Sequence, residues 1–399
     1  MRADPPVRKE TARGVAISAL EASEGGERAN LVVPRLLTTS GLDDRDKGFA
    51  TELAYGALRM CRACDWLVGR FAHGPLEPRV RAAARAGAYQ LAFMRVPSYA
   101  AVSATVAEVP QRARPLLNAV LRRVAGVVET GPVVWPDLGT RLSYPDWVIR
   151  RLGEDIGPER AIAALEQMNV AASPHVRADG YVQDPGSQAA AEHMAALLRA
   201  GVRRGLGEGE GPPAPVLDLC AAPGGKATLL ARSASFVVGA DLAPPRARML
   251  AGNVRRLGLA NLGVVVADGL APPFRGSSFA GVLVDAPCTG LGVLRRRPDA
   301  RWRVRPEDAE RLGALQRGLL VSAVPLVAPG GVLVYSVCTM TRAETVAVDD
   351  WLSGALPAGW GDVVAPPAPP WEPLGRGALL LPQAAGTDGM YLLAWRRRP

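Results

Sequence analysis

Residues Val216 to Lys226 read VLDLCAAPGGK, and few folds accommodate such a stretch. An apolar run ends in an acid and gives way to small residues. Pro223, Gly224 and Gly225 then precede a helix-compatible segment, Ala227 to Ala231. The pattern is that of a strand, a tight turn and a helix. Without Cβ atoms at the glycines the backbone can approach a ligand closely, and a helix start offers unpaired N–H groups to a polar or anionic group. The spacing is neither the dinucleotide GxGxxG nor the phosphate loop GxxxxGKS/T.

From Val216 onward apolar runs alternate with amphipathic ones, the signature of a parallel sheet covered by helices. VLDL, FVVGAD, GVVVAD, GVLVD and GVLVYS are the candidate strands, and residues 244–257 and 307–327 read as helices. Residues 357–385, rich in Pro and Gly around Trp360 and Trp371, read as a long surface loop before a closing strand, DGMYLLAW. The expected class is therefore α/β, Rossmann-like, with a mostly parallel sheet. Residues 8–126 instead carry Ala, Leu and Arg at helical spacing. Breaks at Gly25/Gly26, Gly41, Gly74/Pro75, Pro97 and Pro110 predict five or six helices in a separate all-α domain. With 399 residues, more than one core is expected. The predicted division is 1–130 helical, 131–182 connector and 183–399 α/β.

A net charge of +9 favours an anionic partner such as nucleic acid, although Arg so outnumbers Lys that a composition bias also accounts for it. No apolar run is long enough to span a bilayer, and MRADPPVRKE lacks the apolar segment of a secretory signal. A cytoplasmic, monomeric protein without membrane contact is expected. Cys61, Cys64, Cys220, Cys288 and Cys338 are an odd, scattered set, which predicts free thiols. The single CxxC, Cys61 and Cys64, has no second pair or His cluster to complete a metal site, so no metal is expected.

Asp218, Asp241, Asp268 and Asp285 each end a candidate strand or lie just beyond it. Ligands of open α/β sheets sit beyond the carboxyl ends of the strands, so the four acids can line one site for a nucleoside-type ligand. Asp241, about twenty residues past the glycine turn, is placed to accept from ribose hydroxyls, and Asp268 to reach an adenine amino group. Cys288 and Cys338 each follow a buried strand at the same sheet edge. A thiolate is intrinsically nucleophilic and suits attack on an electron-poor ring carbon.

With these motifs together, residues 183–395 resemble the RNA cytosine-C5 methyltransferases of the Sun/Nol1/Nop2 group. The likeness is carried by QDPGSQ at 183–188, DLCAAPGGK at 218–226, DAPCTGLG at 285–292, the RRRPDARW that follows, and YSVCT at 335–339. ALRMCRACDWLV and PLLNAVLRRV resemble the NusB-like helical domain, an RNA-binding module. The resemblance implies S-adenosylmethionine as methyl donor, held by Cys220, Ala221, Ala222, Pro223, Gly224, Gly225 and Lys226 with Asp241, Asp268 and Asp285. It implies Cys338 as nucleophile, Cys288 as helper in product release, and RNA, above all small-subunit ribosomal RNA, as substrate. The chain departs from the family pattern in two places. The turn ends GGKA where the family has GGKT, with Thr228 next in line, and VRADGYVQD runs together two motifs that a longer, RNA-facing segment normally separates.

The chemistry is coherent with this likeness. Cytosine C5 is a poor nucleophile, so a Cys338 thiolate adds to C6 while a hydrogen bond from Asp285 near N3 stabilises the arriving charge. C5 then takes the methyl group, and loss of its proton through Cys288 or water expels Cys338. Arg295, Arg296, Arg297, Arg301, Arg303 and Arg305 directly follow the catalytic loop and are expected to hold the phosphates flanking an unstacked base. Three other readings compete. An amino-group methyltransferase wants an Asn/Asp-Pro-Pro-Tyr loop where APCT stands. A non-enzymatic RNA-binding assembly factor requires that the catalytic residues be missing. A nicotinamide oxidoreductase wants GxGxxG. Within the family, another RNA such as tRNA is the alternative substrate.

Overall fold

A computed structural model of the protein describes residues 10–202 and 215–399. Residues 1–9, MRADPPVRK, whose last two positions begin the predicted helical region, lie outside the described residues. Packing divides the chain into two units, Met1–Ile149 with Arg295–Arg303, and Arg150–Leu294 with Val304–Pro399. The stretch read as a connector, 131–182, is thus shared between them.

The first unit is helical: α1 (Ala12–Glu24), α2 (Ala29–Thr39), α3 (Asp44–Arg59), α4 (Cys61–Gly69), α5 (Pro78–Ala92), α6 (Ser98–Val106), α7 (Arg114–Glu129) and α8 (Leu138–Leu142). Capping sets several starts. Thr11 accepts from the Gly14 N–H ahead of α1, and Asp43 from the Asp46 N–H ahead of α3. In α3, Asp44 and Asp46 in the first turn and Arg59 in the last complement the helix dipole. The predicted Gly and Pro breaks fall between helices, but the α3/α4 joint at Met60 carries neither residue and was not foreseen. Two glycines let helices close up. A Cβ at Gly87 of α5 would lie 2.6 Å from Leu121 of α7, and one at Gly56 of α3 2.1 Å from the Tyr89 ring of α5.

This helical core is completed by residues far away in sequence. Arg301 has no exposed surface; its Nη1 donates to the carbonyls of Arg59 and Ser143, both at 3.0 Å, and its guanidinium stacks 3.8 Å from the Tyr144 ring centroid. Trp302 donates from Nε1 to the Leu58 carbonyl at 3.1 Å, and Asp299 accepts from the Ala29 N–H at 3.2 Å, at the start of α2. Asp299 also pairs with Arg303 at 2.7 Å.

Among the described residues, the second unit holds a sheet of nine strands: β1 (Val216–Asp218), β2 (Val237–Asp241), β3 (Leu262–Val266), β4 (Phe279–Asp285), β5 (Val327–Val337), β6 (Trp360–Val363), β7 (Glu372–Leu374), β8 (Gly377–Leu380) and β9 (Met390–Arg397). Their order is β3-β2-β1-β4-β5-β9-β8-β7, with β6 also on β9. The first five are parallel and the rest antiparallel. Succession reverses at β1/β4, which makes the crevice beyond their carboxyl ends the natural ligand site. Helices α9 (Asp146–Ile156), α10 (Pro158–Gln167), α11 (Pro185–Val202), α12 (Gly225–Leu230), α13 (Pro244–Arg256), α14 (Asp308–Ala323) and α15 (Val346–Ala355) complete the longer elements. The first part of α9 belongs to the helical unit.

The segment 357–385 is not the long loop expected. It forms β6, β7, β8 and a short helix, Pro382–Ala385, and its Trp371 is buried. The strands are three or four residues long and antiparallel at the sheet margin, where Pro and Gly are tolerated. Among the described residues, no helix is long and apolar enough to cross a membrane.

Candidate active site

The parallel strands deliver the four predicted acids to one edge of the sheet. Asp218, Asp241 and Asp285 end β1, β2 and β4, and Asp268 lies two residues past β3. Cys288 follows β4 by three residues and Cys338 follows β5 by one, and the register pairs Asp285 with Ser336. The two sulfurs are 3.3 Å apart. None of the five cysteines is in a disulfide, and no cluster among the described residues could hold a metal ion.

Lys226, buried in the first turn of α12, places its ammonium 2.8 Å from Asp285 Oδ2. Burial alone would lower the lysine pKa, but the charge and hydrogen bond of Asp285 outweigh it and raise it, with Cys338 adding to the pull. The sequence grouped Lys226 with the cofactor turn; the structure makes it also the ion-pair partner of Asp285. The hydrogen bond to Cys338, followed by burial, pushes the Cys288 thiol up, so Cys288 is held protonated in this arrangement. Burial likewise raises the Cys220 thiol.

Asp218 is buried, and neither carboxylate oxygen has a hydrogen-bond partner. Burial, reinforced by Asp285, pushes its pKa up to about 8. The folded protein therefore holds a proton that the unfolded chain releases near pH 4. This contribution to stability is full below about pH 4 and lost as pH rises through about 8. Asp218→Asn removes it, so urea midpoints measured from pH 5 to 9 should show the variant gaining on the wild type up to about pH 8 and then running parallel. Parallel profiles throughout would mean Asp218 is ionised from the start.

Asp241 accepts from the backbone N–H of Ala243 at 3.1 Å and of Ala222 at 3.3 Å, and pairs with Arg246 Nε at 3.1 Å. Its register partner on β3 is Val266, which is 54% exposed, and the next residue, Leu242, is 65% exposed. Asp268 is exposed and accepts from the Leu270 N–H at 2.9 Å. Bare apolar side chains beside a carboxylate suit a flat ring joined to a polyol, and the orphaned Asp218 oxygens suit a donor such as an ammonium group. The donor set therefore fits S-adenosylmethionine.

Sequence reasoning missed the residues that brace this edge. Arg177 is buried and donates to the Gly225 carbonyl at 2.9 Å, Gln183 Oε1 at 2.8 Å and Thr228 Oγ1 at 3.2 Å, besides pairing with Asp179. The unusually short VRADGYVQD stretch is a tight turn with Gly180 at φ +78° and an antiparallel bridge between Val176 and Val182. Thr228 donates to the Gly224 carbonyl at 2.7 Å, so the hydroxyl that the GGKA turn displaces by one position still ties that turn. An Arg before an Asp in a loop gives no sequence signal of burial.

The arginine run requires a correction. Arg295 and Arg301 are buried in the helical unit and present no face to a phosphate, because their guanidiniums pack within the protein. Arg296, Arg297, Arg303 and Arg305 are exposed.

Residues 211–395 match the family 16S rRNA methyltransferase RsmB/F, and residues 10–126 match the NusB family. Among curated proteins, the chain is 35% identical to ribosomal RNA small subunit methyltransferase B of Thermus thermophilus, over 98% of this chain and 99% of the relative. It is 30% identical to the protein of the same name from Erwinia tasmaniensis, over 92% and 94%. Among solved structures, that of PH0851 shares the fold with a TM-score of 0.76 at 20% identity, over 97% of this chain and 99% of the other. A methyltransferase homologue from Pyrococcus horikoshii gives a TM-score of 0.51 at 21% identity, over 66% and 100%.

Proposed function

The chain belongs to the RsmB/F family of 16S rRNA methyltransferases, and from that premise we propose that it methylates C5 of a cytosine in small-subunit ribosomal RNA through a covalent adduct to Cys338. The observation that carries the reading is the pair of sulfurs 3.3 Å apart beside the Lys226–Asp285 ion pair. One thiol is required to open the pyrimidine ring electronically and a second group to help close it again.

The residues take the following roles. Asp241 would hold the ribose hydroxyls, Asp268 would meet the adenine amino group, and the turn Cys220 to Lys226 would enclose the donor. S-adenosylmethionine, when bound, supplies an electrophilic methyl group. The Cys338 thiolate adds to C6, and the ring's electron pair shifts toward N3 and O2. A proton from the Lys226 ammonium, relayed by Asp285 hydrogen-bonded near N3, neutralises this charge. Once C5 carries the methyl group, its proton passes to a base reached through Cys288 or water, and the C6–S bond breaks to restore the ring and the thiolate. Arg296, Arg297, Arg303 and Arg305 are the exposed members of the basic run and are the ones assigned to meet phosphates.

Bisulfite sequencing of ribosomal RNA from cells with and without the gene tests this. One protected cytosine of the 16S RNA should lose its protection in the deletion strain and regain it with the wild-type gene. An unchanged 16S RNA beside a changed tRNA would move the substrate and keep the chemistry; no changed cytosine in any RNA would end the cytosine-C5 reading.

A further inference from the structure

Glu344, six residues past Cys338 and without exposed surface, is bound by groups from four segments of the chain. Its Oε1 accepts from the Thr289 N–H at 2.7 Å and from Gln316 Nε2 at 3.2 Å. Its Oε2 accepts from the hydroxyls of Thr289 at 2.6 Å, Thr341 at 2.8 Å and Thr339 at 3.1 Å. Thr289 directly follows Cys288 and Thr339 directly follows Cys338, and their hydroxyls are themselves 3.0 Å apart. Gln316, on α14, also donates to the carbonyl of Pro287, the residue before Cys288, at 2.9 Å. Tyr335, near the end of β5, places its hydroxyl 2.9 Å from Gln316 Oε1 and 2.7 Å from the Glu344 carbonyl.

An acid that only started a helix would take one or two such bonds. A carboxylate is acceptor-only and can take all five; an amide in its place turns one of its two ends into a donor facing three hydroxyls. The two loops leave neighbouring strands 50 residues apart in sequence; the Gly292 N–H also joins them by donating to the Cys338 carbonyl at 3.0 Å, but among the described residues only Glu344 gathers side chains from both. Each sulfur is one residue from a threonine on the same anion.

We propose that Glu344 is a positioning residue that fixes the Cys288 and Cys338 loops in the single register that sets their sulfurs together. The inference rests on the methyl transfer proposed above for its kinetic consequence, but not for its geometry. Displacing a reacting group by about 1 Å costs roughly a hundredfold in rate even when binding is unchanged.

The test uses the full chain and Glu344→Gln, with circular dichroism to establish folding and calorimetry to establish S-adenosylmethionine affinity. The expected result is a folded variant that binds S-adenosylmethionine within about threefold of wild type, keeps its KM for RNA, and loses roughly a hundredfold in kcat. A folded variant with a kcat within twofold of wild type overturns the proposal. Should the wild type methylate no cytosine, the functional reading fails, and the clamp is judged on the thiols alone. The ratio of iodoacetamide labelling rates at Cys288 and Cys338, read by peptide mass spectrometry, should change at least threefold in Glu344→Gln. An unchanged ratio overturns the clamp. If Glu344→Gln does not fold, Thr289→Val and Thr339→Val, each lacking one hydroxyl donor to the carboxylate, are held to the same criteria.

Discussion

Cys288→Ala will accumulate a protein–RNA species that survives denaturing electrophoresis, whereas Cys338→Ala will form none and will lose methylation by about 10⁴-fold or more. The difference follows from the sulfur pair. Cys288 is held as a thiol by its hydrogen bond to Cys338 and by burial, so it is the poorer candidate for attack. Once Cys338 is bonded to carbon, that hydrogen bond and the charge behind it are gone, and Cys288 ionises more readily for the elimination that follows. Removing Cys288 therefore leaves addition and methyl transfer possible and stalls release. The gel is run with labelled RNA carrying the target cytosine, with and without S-adenosylmethionine. A trapped species from Cys338→Ala and none from Cys288→Ala would exchange the two roles. None from either, in folded protein with a proven substrate, would end the stalled-release account.

The second large effect lies in the helical unit and concerns stability. Arg301→Ala removes a buried guanidinium that satisfies two carbonyls and covers Tyr144, and burial has already pulled its pKa down to about 10 without neutralising it. Losing bonds to a charged donor and leaving their acceptors unpaired costs about 3 kcal/mol. Amide hydrogen exchange should therefore speed up about a hundredfold in α3, whose last carbonyls Arg301 caps, because each 1.4 kcal/mol is about tenfold. Arg297→Ala, at an exposed position, should leave α3 protected as in the wild type. Unchanged exchange in Arg301→Ala together with weaker RNA binding would return this arginine to the phosphate-facing role read from sequence.

That reversal shows where sequence reading stopped. The strands were legible because both faces of a parallel sheet are covered, so β2, β4 and β5 are apolar almost without interruption. The acids and cysteines were legible because each follows such a run directly, and parallel neighbours bring their carboxyl ends to one edge. Arg301 was not, because a buried arginine and a solvated one have the same letter, and only its carbonyl partners, contributed by residues 59 and 143, distinguish them. Glu344 was hidden in the same way: an acid a few positions ahead of an amphipathic helix reads as a surface residue. The margin strands β6 to β8 were hidden by their prolines and glycines and by being too short to show alternation.

The segment 295–303 also has a consequence for how the protein is made. Arg301 emerges from the ribosome 158 residues after the Ser143 carbonyl it binds. At about 5 to 20 residues per second that interval is roughly 8 to 30 s, long compared with the collapse of a helical domain. During it the nascent helices have the Tyr144 ring uncovered and the carbonyls of Leu58, Arg59 and Ser143 open to water or to a chaperone. A fragment ending at residue 149 would be arrested in that condition, so the helical unit made alone should be expressed with a 295–303 peptide supplied in trans, or fused through a linker, before its RNA binding is judged.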